Sequence, residues 1–434
     1  MCGLFAISSS NKDIKDDLFL GTFYLQHRGQ EYCGLATFNG REIKLRTHKG
    51  LIRETFTNDL AGLEGEAGIG HASLKDRQPI KLHSKIGEFT ICFDGNIINA
   101  QELIKELESK EHTFASLEDV EVIAQLITTG DDFISGIEKM ASKIKGSYAL
   151  AILTRDGIYV ARDKYGYKPL CLGEKDGTIA VSSESCSFTN LGIPLIRDVK
   201  PGEIIFLKNG RSKSEKVIKS DFLQYCTFEW VYTAEISSII DGLPVATARK
   251  NLGASLARRY PVKADVISGV PNSGIGHALG YSLESKIPFD FVFVRYGYAS
   301  RSYTLPTQEE RDREAKIKLL TINPNVEGKR IVLCDDSIVR GTQMKNDLVV
   351  KLRNAGAKEI HVRIACPPLK APCMYGKSTR TKKELAAYEK SVEEIRKYIG
   401  VDSLGYNTIE DMEKSLGIKR ENLCLSCWTE EYRS

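Results

Sequence analysis

One stretch limits what this chain can fold into: Lys329-Arg330-Ile331-Val332-Leu333-Cys334-Asp335-Asp336-Ser337-Ile338-Val339-Arg340-Gly341-Thr342. Ile331 to Cys334 form an apolar run of strand length, and the chain then turns polar. A helix is predicted from about Gln343, with Leu348, Val349 and Leu352 on one face. A strand–loop–helix unit aims main-chain N–H groups and a positive helix end at whatever the loop holds, which suits a phosphate. The Ser337 and Thr342 hydroxyls add donors, and Gly341 lets a ligand approach the backbone. Asp335 and Asp336 fall at the C-terminal end of the strand, where open α/β sheets bind their ligands. Paired carboxylates do not suit a bare phosphate. They suit sugar hydroxyls, or a hard cation that carries pyrophosphate. The plainer reading, a turn with two solvated aspartates, leaves the apolar strand before them and the Gly-Thr after them unexplained.

The surrounding sequence alternates in the same way from about Ala246. A helix is predicted near Ala248 to Arg259, then a strand Ala264 to Ser268, the turn Gly269-Val270-Pro271-Asn272-Ser273-Gly274 and a helix through Leu283. A strand Phe289 to Val294 and a polar stretch Arg295 to Lys318 lead into the opening unit, and a strand Glu359 to Ala365 follows it. Such βαβ alternation predicts a mostly parallel sheet. The Gly269–Gly274 turn alone is an ordinary loop. Beside Asp335 and Asp336 it becomes a second cradle, with Ser273 in reach of a phosphate or its cation, as a molecule phosphorylated at both ends requires.

The front half has short strands, turns and two or three helices, the pattern of an αββα layered domain of two sheets. Small residues after Met1 favour its removal, which would leave Cys2 with a free α-amino group of reference pKa about 8. A nucleophile and its base would then share one residue; the alternative is a buried structural cysteine in a first strand. Leu25 to Gln30 follow a predicted helix. Gly68-Ile69-Gly70-His71 is read as a strand end, and Asp94-Gly95-Asn96 as a tight turn after the strand Phe89 to Phe93. Asp119 and Glu121 open an amphipathic helix, and Gly146–Leu153 with Gly157–Val160 is read as a hairpin. The junction falls near residues 221 to 245, giving expected units at 2–230, 231–400 and a C-terminal segment 401–434.

A chain of 434 residues has room for two full cores. Its 61 basic and 57 acidic residues nearly balance, which gives no reason to expect a nucleic-acid partner. No apolar run approaches the roughly 20 residues that span a bilayer, and no basic segment precedes an apolar one at the start. A cytoplasmic protein is expected. Its eleven cysteines are then thiols, ligands or nucleophiles rather than disulfides. The pair Cys424-Leu425-Ser426-Cys427, with Cys226 and Cys373, is compatible with zinc, an iron–sulfur cluster or unrelated thiols.

The loop from Asp335 to Thr342 resembles the 5-phosphoribosyl-1-pyrophosphate (PRPP) loop of type I phosphoribosyltransferases. The front-half motifs resemble, in order and spacing, a class II glutamine amidotransferase domain. From Cys2 to Cys427 the chain resembles the iron–sulfur-containing family of glutamine PRPP amidotransferases, and the rest of this paragraph is what that resemblance implies. The fold would be an N-terminal-nucleophile hydrolase domain followed by a parallel α/β sheet. Cys2 would attack the side-chain amide of glutamine, Gly95 would supply an oxyanion N–H, and Arg28, His71 and Asp119 would line the glutamine pocket. Ser273, Asp335 and Asp336 would hold one Mg²⁺ with PRPP, and Ser337, Ile338, Val339, Arg340, Gly341 and Thr342 the 5′-phosphate. Arg301 would contact PRPP from a catalytic lid, and Tyr298 would lie on the ammonia path. Cys226, Cys373, Cys424 and Cys427 would ligate one [4Fe–4S] cluster. Ammonia would displace pyrophosphate from PRPP to give 5-phosphoribosylamine, the first step of purine synthesis, in a homo-oligomer inhibited by purine nucleotides.

Three positions depart from the family pattern. Ser73 stands where the family has an arginine that clamps the glutamine carboxylate. Asp94 replaces the asparagine of the oxyanion pair, and Gly297-Tyr298 replaces an Arg-Tyr pair. An ionised carboxylate repels a developing oxyanion that an amide would bind, so glutamine hydrolysis is expected to be weak or altered unless Lys75 or Arg77 replaces the clamp. Two rivals remain: another class II amidotransferase, such as a hexosamine-phosphate or asparagine synthase, and a non-catalytic or ammonia-only PRPP-binding regulator. The Asp335–Thr342 loop argues against the first.

Overall fold

The computed structural model describes residues 2–57, 59–297, 317–376 and 381–433. Tyr298, Arg301 and most of the polar stretch around them lie outside the described residues.

Two antiparallel sheets make the front domain. The first has seven strands in the spatial order Leu195–Asp198, Cys171–Lys175, Thr178–Ser182, Gly3–Ser9, Ala67–Ser73, Tyr32–Phe38 and Ile43–Lys49. The second has six: Arg211–Val217, Glu203–Lys208, Ile158–Arg162, Gly146–Thr154, Gly87–Ile97 and Ile80–Ser84. Apolar residues at alternate strand positions, among them Leu4, Ala36, Ile69, Cys92, Ala151 and Val160, fill the space between the sheets. The helix Lys15–Phe23 covers the outer face of the first sheet. Helices Ala100–Glu108, Asp119–Thr128 and Phe133–Lys143 cover the second, burying Leu103, Ile123, Leu126 and Ile137. Phe133–Lys143 starts where it does because Asp132 accepts from the Ser135 N–H in a reciprocal capping box. The result is the αββα layering expected.

Three local expectations are corrected. Gly68 to His71 lie inside a strand, not at its end. Asp94-Gly95-Asn96 is no turn, because the strand Gly87–Ile97 runs straight through it and Gly95 pairs with Tyr148. Glycine is needed there for close approach: a Cβ at position 95 would sit 2.1 Å from the Ser147 carbonyl oxygen. Finally, the strand after the second helix of the back half is shorter than predicted. Phe293–Arg295 pairs antiparallel with Leu319–Thr321, and Phe289 makes only a single parallel bridge to Ile267.

Behind the junction lies a parallel sheet in the order Val266–Gly269, Arg330–Asp335, Glu359–Ile364 and Ser403–Tyr406. Ile267, Ile331, Val332, Leu333, Ile360 and Val362 are buried on its two faces, because helices Val245–Arg259 and Ile275–Ser285 pack on one side and the helical stretch from Met344 to Asn354 on the other. The fourth strand lies beyond residue 400, so the C-terminal segment completes this sheet. That segment also returns to the front domain, where Leu423–Cys424 pairs parallel with Tyr225–Cys226. No helix among the described residues is long and apolar enough to cross a membrane.

Candidate active site at the domain junction

Two neighbouring strands of the parallel sheet, Val266–Gly269 and Arg330–Asp335, end side by side, so their loops meet. Val270 N–H donates to the Cys334 carbonyl at 2.9 Å, and Ser273 Oγ lies 3.4 Å from Asp335 Oδ1. Gly274 is forced by that approach, since a Cβ there would lie 2.2 Å from the Cys334 oxygen. Asp335 Oδ1 also accepts from the Asp336 N–H at 2.9 Å, and Ser337 Oγ donates to Asp336 Oδ2 at 2.6 Å. Burial, then the adjoining Asp336 carboxylate, push the Asp335 carboxyl well above its ordinary range.

Beyond them the chain bends from Val339 to Gly341 and enters a helix at Thr342. Gly341 takes a φ of 75°, a left-handed conformation that a side chain resists. Among the described residues, the main-chain N–H groups of Ile338, Val339, Arg340 and Gly341 make no hydrogen bond. They border a cavity of about 600 Å³ that Ser273 and Asp335 through Met344 line on one side, and Lys168 and Glu229 on the other. A ring of unspent amides beside two carboxylates and a hydroxyl can hold a phosphate at one end and a hydrated cation or sugar diol at the other.

The four cysteines of the sequence motif, brought from three distant segments, line the same cavity. Cys226 and Cys424 are partners in the short parallel pairing. The Cys427 carbonyl accepts from the N–H groups of Lys370 and Ala371, which anchors the segment carrying Cys373. A hydrogen bond from the Cys427 thiol lowers the pKa of the Cys373 thiol, whereas burial and Glu229 push Cys226 up. Among the described residues, no three His, Cys, Asp or Glu side chains converge on a single-ion site. That cysteine segment is bolted to the front domain: Ser147 Oγ donates to the Tyr375 carbonyl at 2.6 Å, and Tyr167 stacks on Tyr375 with ring centroids 4.0 Å apart.

The front site sits where the strands Gly3–Ser9 and Gly87–Ile97 approach. Cys2 N donates to Asp94 Oδ1 at 2.9 Å, and Lys168 Nζ donates to the same oxygen at 3.2 Å. Burial pushes the Asp94 carboxyl up, but Lys168 and Arg28 more than offset it, and it stands at about 2. Arg28 is fully buried. Its Nε donates to the Cys2 carbonyl, Nη1 to Glu184 at 2.6 Å, and both terminal nitrogens to Glu229 in a fork. Glu184 accepts in addition from His27, the Glu235 N–H and Ser238. His71 donates from Nε2 to the Phe93 carbonyl, and burial lowers it to about 4, so it is neutral. Asp119 accepts from the Ile97 N–H at 3.2 Å. Ser73 is turned into its own turn, accepting from the Lys75 and Asp76 N–H groups. Lys75 is exposed, and exposed Arg77 lies over the Tyr32 ring.

The structure thus gathers Cys2, Asp94 and Arg28 in one place, and Ser273 with Asp335 to Thr342 in another. Sequence reasoning missed Lys168, Glu184 and Glu229, the charged residues that connect them. Lys168 and Glu184 sit in loops beside buried strands, and their partners are too far away in sequence to infer.

A family model for a glutamine amidotransferase domain matches residues 68–190. The chain is 41% identical to an amidophosphoribosyltransferase of Methanocaldococcus jannaschii, over 100% of this chain and 97% of that one. The chain belongs to the amidophosphoribosyltransferase family. The Bacillus subtilis member is 37% identical over 99% of this chain and 94% of its own length. A solved glutamine PRPP amidotransferase from B. subtilis, complexed with ADP and GMP, superposes with a TM-score of 0.93 at 36% identity, covering 99% of this chain and 97% of that one. Members of the family are glutamine amidotransferases and glycosyltransferases of purine biosynthesis, with an N-terminal-nucleophile domain joined to a type I phosphoribosyltransferase domain, as here.

Proposed function

We propose that PRPP lies across the two joined strand-end loops and that ammonia displaces its pyrophosphate there. The observation that supports this reading is the meeting of Ser273 and Asp335, whose two loops line one cavity. The amides of residues 338 to 341 hold the 5′-phosphate, and the Asn272 and Ser273 N–H groups, which donate to nothing among the described residues, hold the pyrophosphate. Asp335, Asp336 and Ser273 offer the oxygen donors that Mg²⁺ accepts alongside phosphates, and that ion would neutralise charge on the departing pyrophosphate. The protein's share is to fix C1 in line with the incoming nitrogen and to present negative carboxylates to a sugar that becomes positive as its bond to pyrophosphate breaks. Arg301 and Tyr298 complete the proposal as PRPP-contacting and ammonia-path residues. Mixing the protein with PRPP, Mg²⁺ and ammonium and following pyrophosphate tests it. Absence of release would leave a PRPP-binding regulator.

The four cysteines line one cavity from three segments, and four thiolates are the ligand set of a [4Fe–4S] cluster. The cluster would pin the C-terminal segment to the junction. Protein purified without oxygen is expected to be brown and to contain iron. Cys424→Ser is expected to lose the colour and to speed proteolysis of residues 423–433, and iron and protease assays check both. Cys2, Gly95, Asp94, Arg28, His71 and Asp119 form the front centre of this reading. Purine nucleotides, which the solved B. subtilis relative carries as ADP and GMP, are the proposed inhibitors of a cytoplasmic homo-oligomer.

A further inference from the structure

The front centre holds Cys2 against a buried carboxylate. Cys2 N lies 2.9 Å from Asp94 Oδ1 and donates to it. If Met1 stays, that nitrogen is an amide with no basicity. If Met1 leaves, it becomes an ammonium held by a buried carboxylate, with no lone pair to take the thiol proton. Neither state of the terminus supplies a base. His71 has its Nε2 committed to the Phe93 carbonyl, and its Nδ1 is buried without a partner among the described residues.

The charges facing Cys2 are mixed: Lys168 favours the thiolate, and the Asp94 and Asp76 carboxylates oppose it. Asp94 is ionised between Lys168 Nζ at 3.2 Å and Arg28 Nη2 at 3.7 Å. Arg28 is in turn held by Glu184 and Glu229. Asp94 therefore stays in place as an anion where charge would build on an attacked amide carbonyl. Burial raises the Cys2 thiol further from ionisation. Among the described residues beside Ser73, the cations Lys75 and Arg77 are both exposed. Ser73 is spent in its turn, Arg77 lies over Tyr32, and Asp76 and Glu118 share a hydrogen bond with Asp119 nearby.

We propose that this chain does not hydrolyse glutamine at Cys2 and takes its nitrogen as free ammonia, the Asp94 carboxylate holding the Cys2 nitrogen and standing in the oxyanion position. This rests on the PRPP-transfer reading above and names its nitrogen donor. In the transfer, ammonia's lone pair forms the bond to C1 as the bond from C1 to pyrophosphate oxygen breaks. Pyrophosphate leaves with the electron pair, and a proton passes from the new ammonium group to solvent.

The test uses the full-length purified protein with Mg²⁺ and PRPP. Pyrophosphate release and glutamate formation are followed separately, with ammonium chloride or with glutamine as nitrogen source. The expected result is release with ammonium and at least about a hundredfold less with glutamine, the scale on which loss of a single oxyanion donor acts. The double variant Ser73→Arg, Asp94→Asn is expected to raise glutamate formation at least tenfold, with circular dichroism at the assay temperature checking that it is folded. Glutamine-driven release within tenfold of the ammonium rate, with matching glutamate, overturns the inference and leaves the transferase reading standing. Release with neither donor overturns the transferase reading and the inference with it.

Discussion

Changing Asp335 and Asp336 together to asparagine is expected to lower kcat/KM for PRPP by about a thousandfold. Asparagine keeps the shape and one oxygen of each side chain but removes both charges. Those charges serve the cation that carries pyrophosphate and the sugar carbon that turns positive as its bond breaks. Metal and charge stabilisation of this kind is worth several kcal/mol, and each 1.36 kcal/mol is about tenfold in rate. The fold should survive. The two carboxylates touch in a buried corner, and burial with mutual repulsion already pushes Asp335 up, so neutral amides relieve a cost. Steady-state kinetics with ammonium as donor, beside a thermal melt, check both halves. A rate within tenfold of the unchanged protein, at unchanged Tm, would show that the pair serves no ligand.

Arg28→Met is the second large effect, and it falls on stability. Methionine fills the volume but leaves Glu184, Glu229 and Asp94 without the guanidinium they share. Breaking a buried pair by removing one partner costs roughly 3–5 kcal/mol. For a domain of this size that is on the order of 10 °C in Tm. Adding Glu229→Gln should restore much of the loss, because a stranded charge and not lost packing is the cause. A single variant that melts like the parent refutes the network's role.

The same network sets an acid limit. Burial pushes Glu184 up, but His27 and Arg28 more than offset it and hold it at about 2 against an ordinary value of 4.5. A folded-state value below the unfolded one adds stability that is fully present above pH about 4.5 and is lost as pH falls toward 2. Denaturation followed across that window should be shallower in Arg28→Met than in the parent.

These predictions draw on different levels of legibility. The loop at Asp335 could be read from residues in a row, because strand, polar turn, glycine and helix are each specified by neighbours. The αββα layering was likewise visible in alternating strands and amphipathic helices. Asp94-Gly95-Asn96 misled: an Asp-Gly step is a turn signal, yet the strand continues, because pairing with Ser147 and Tyr148 outweighs local preference. The parallel edge strand Ser403–Tyr406 was missed, since nothing in four residues announces a partner forty positions earlier.

By itself the sequence determined the strand-end loop Asp335–Thr342 and the layered front domain. Each is written in short-range patterns of polarity and turn chemistry. Only the tertiary structure decided what Asp94 does. Its partners are Cys2, 92 residues away, and Lys168, 74 residues away, and Arg28 finds Glu229 across 201 residues. A carboxylate's state is set by the charges and solvent around it, and chain closure, not sequence adjacency, puts those there.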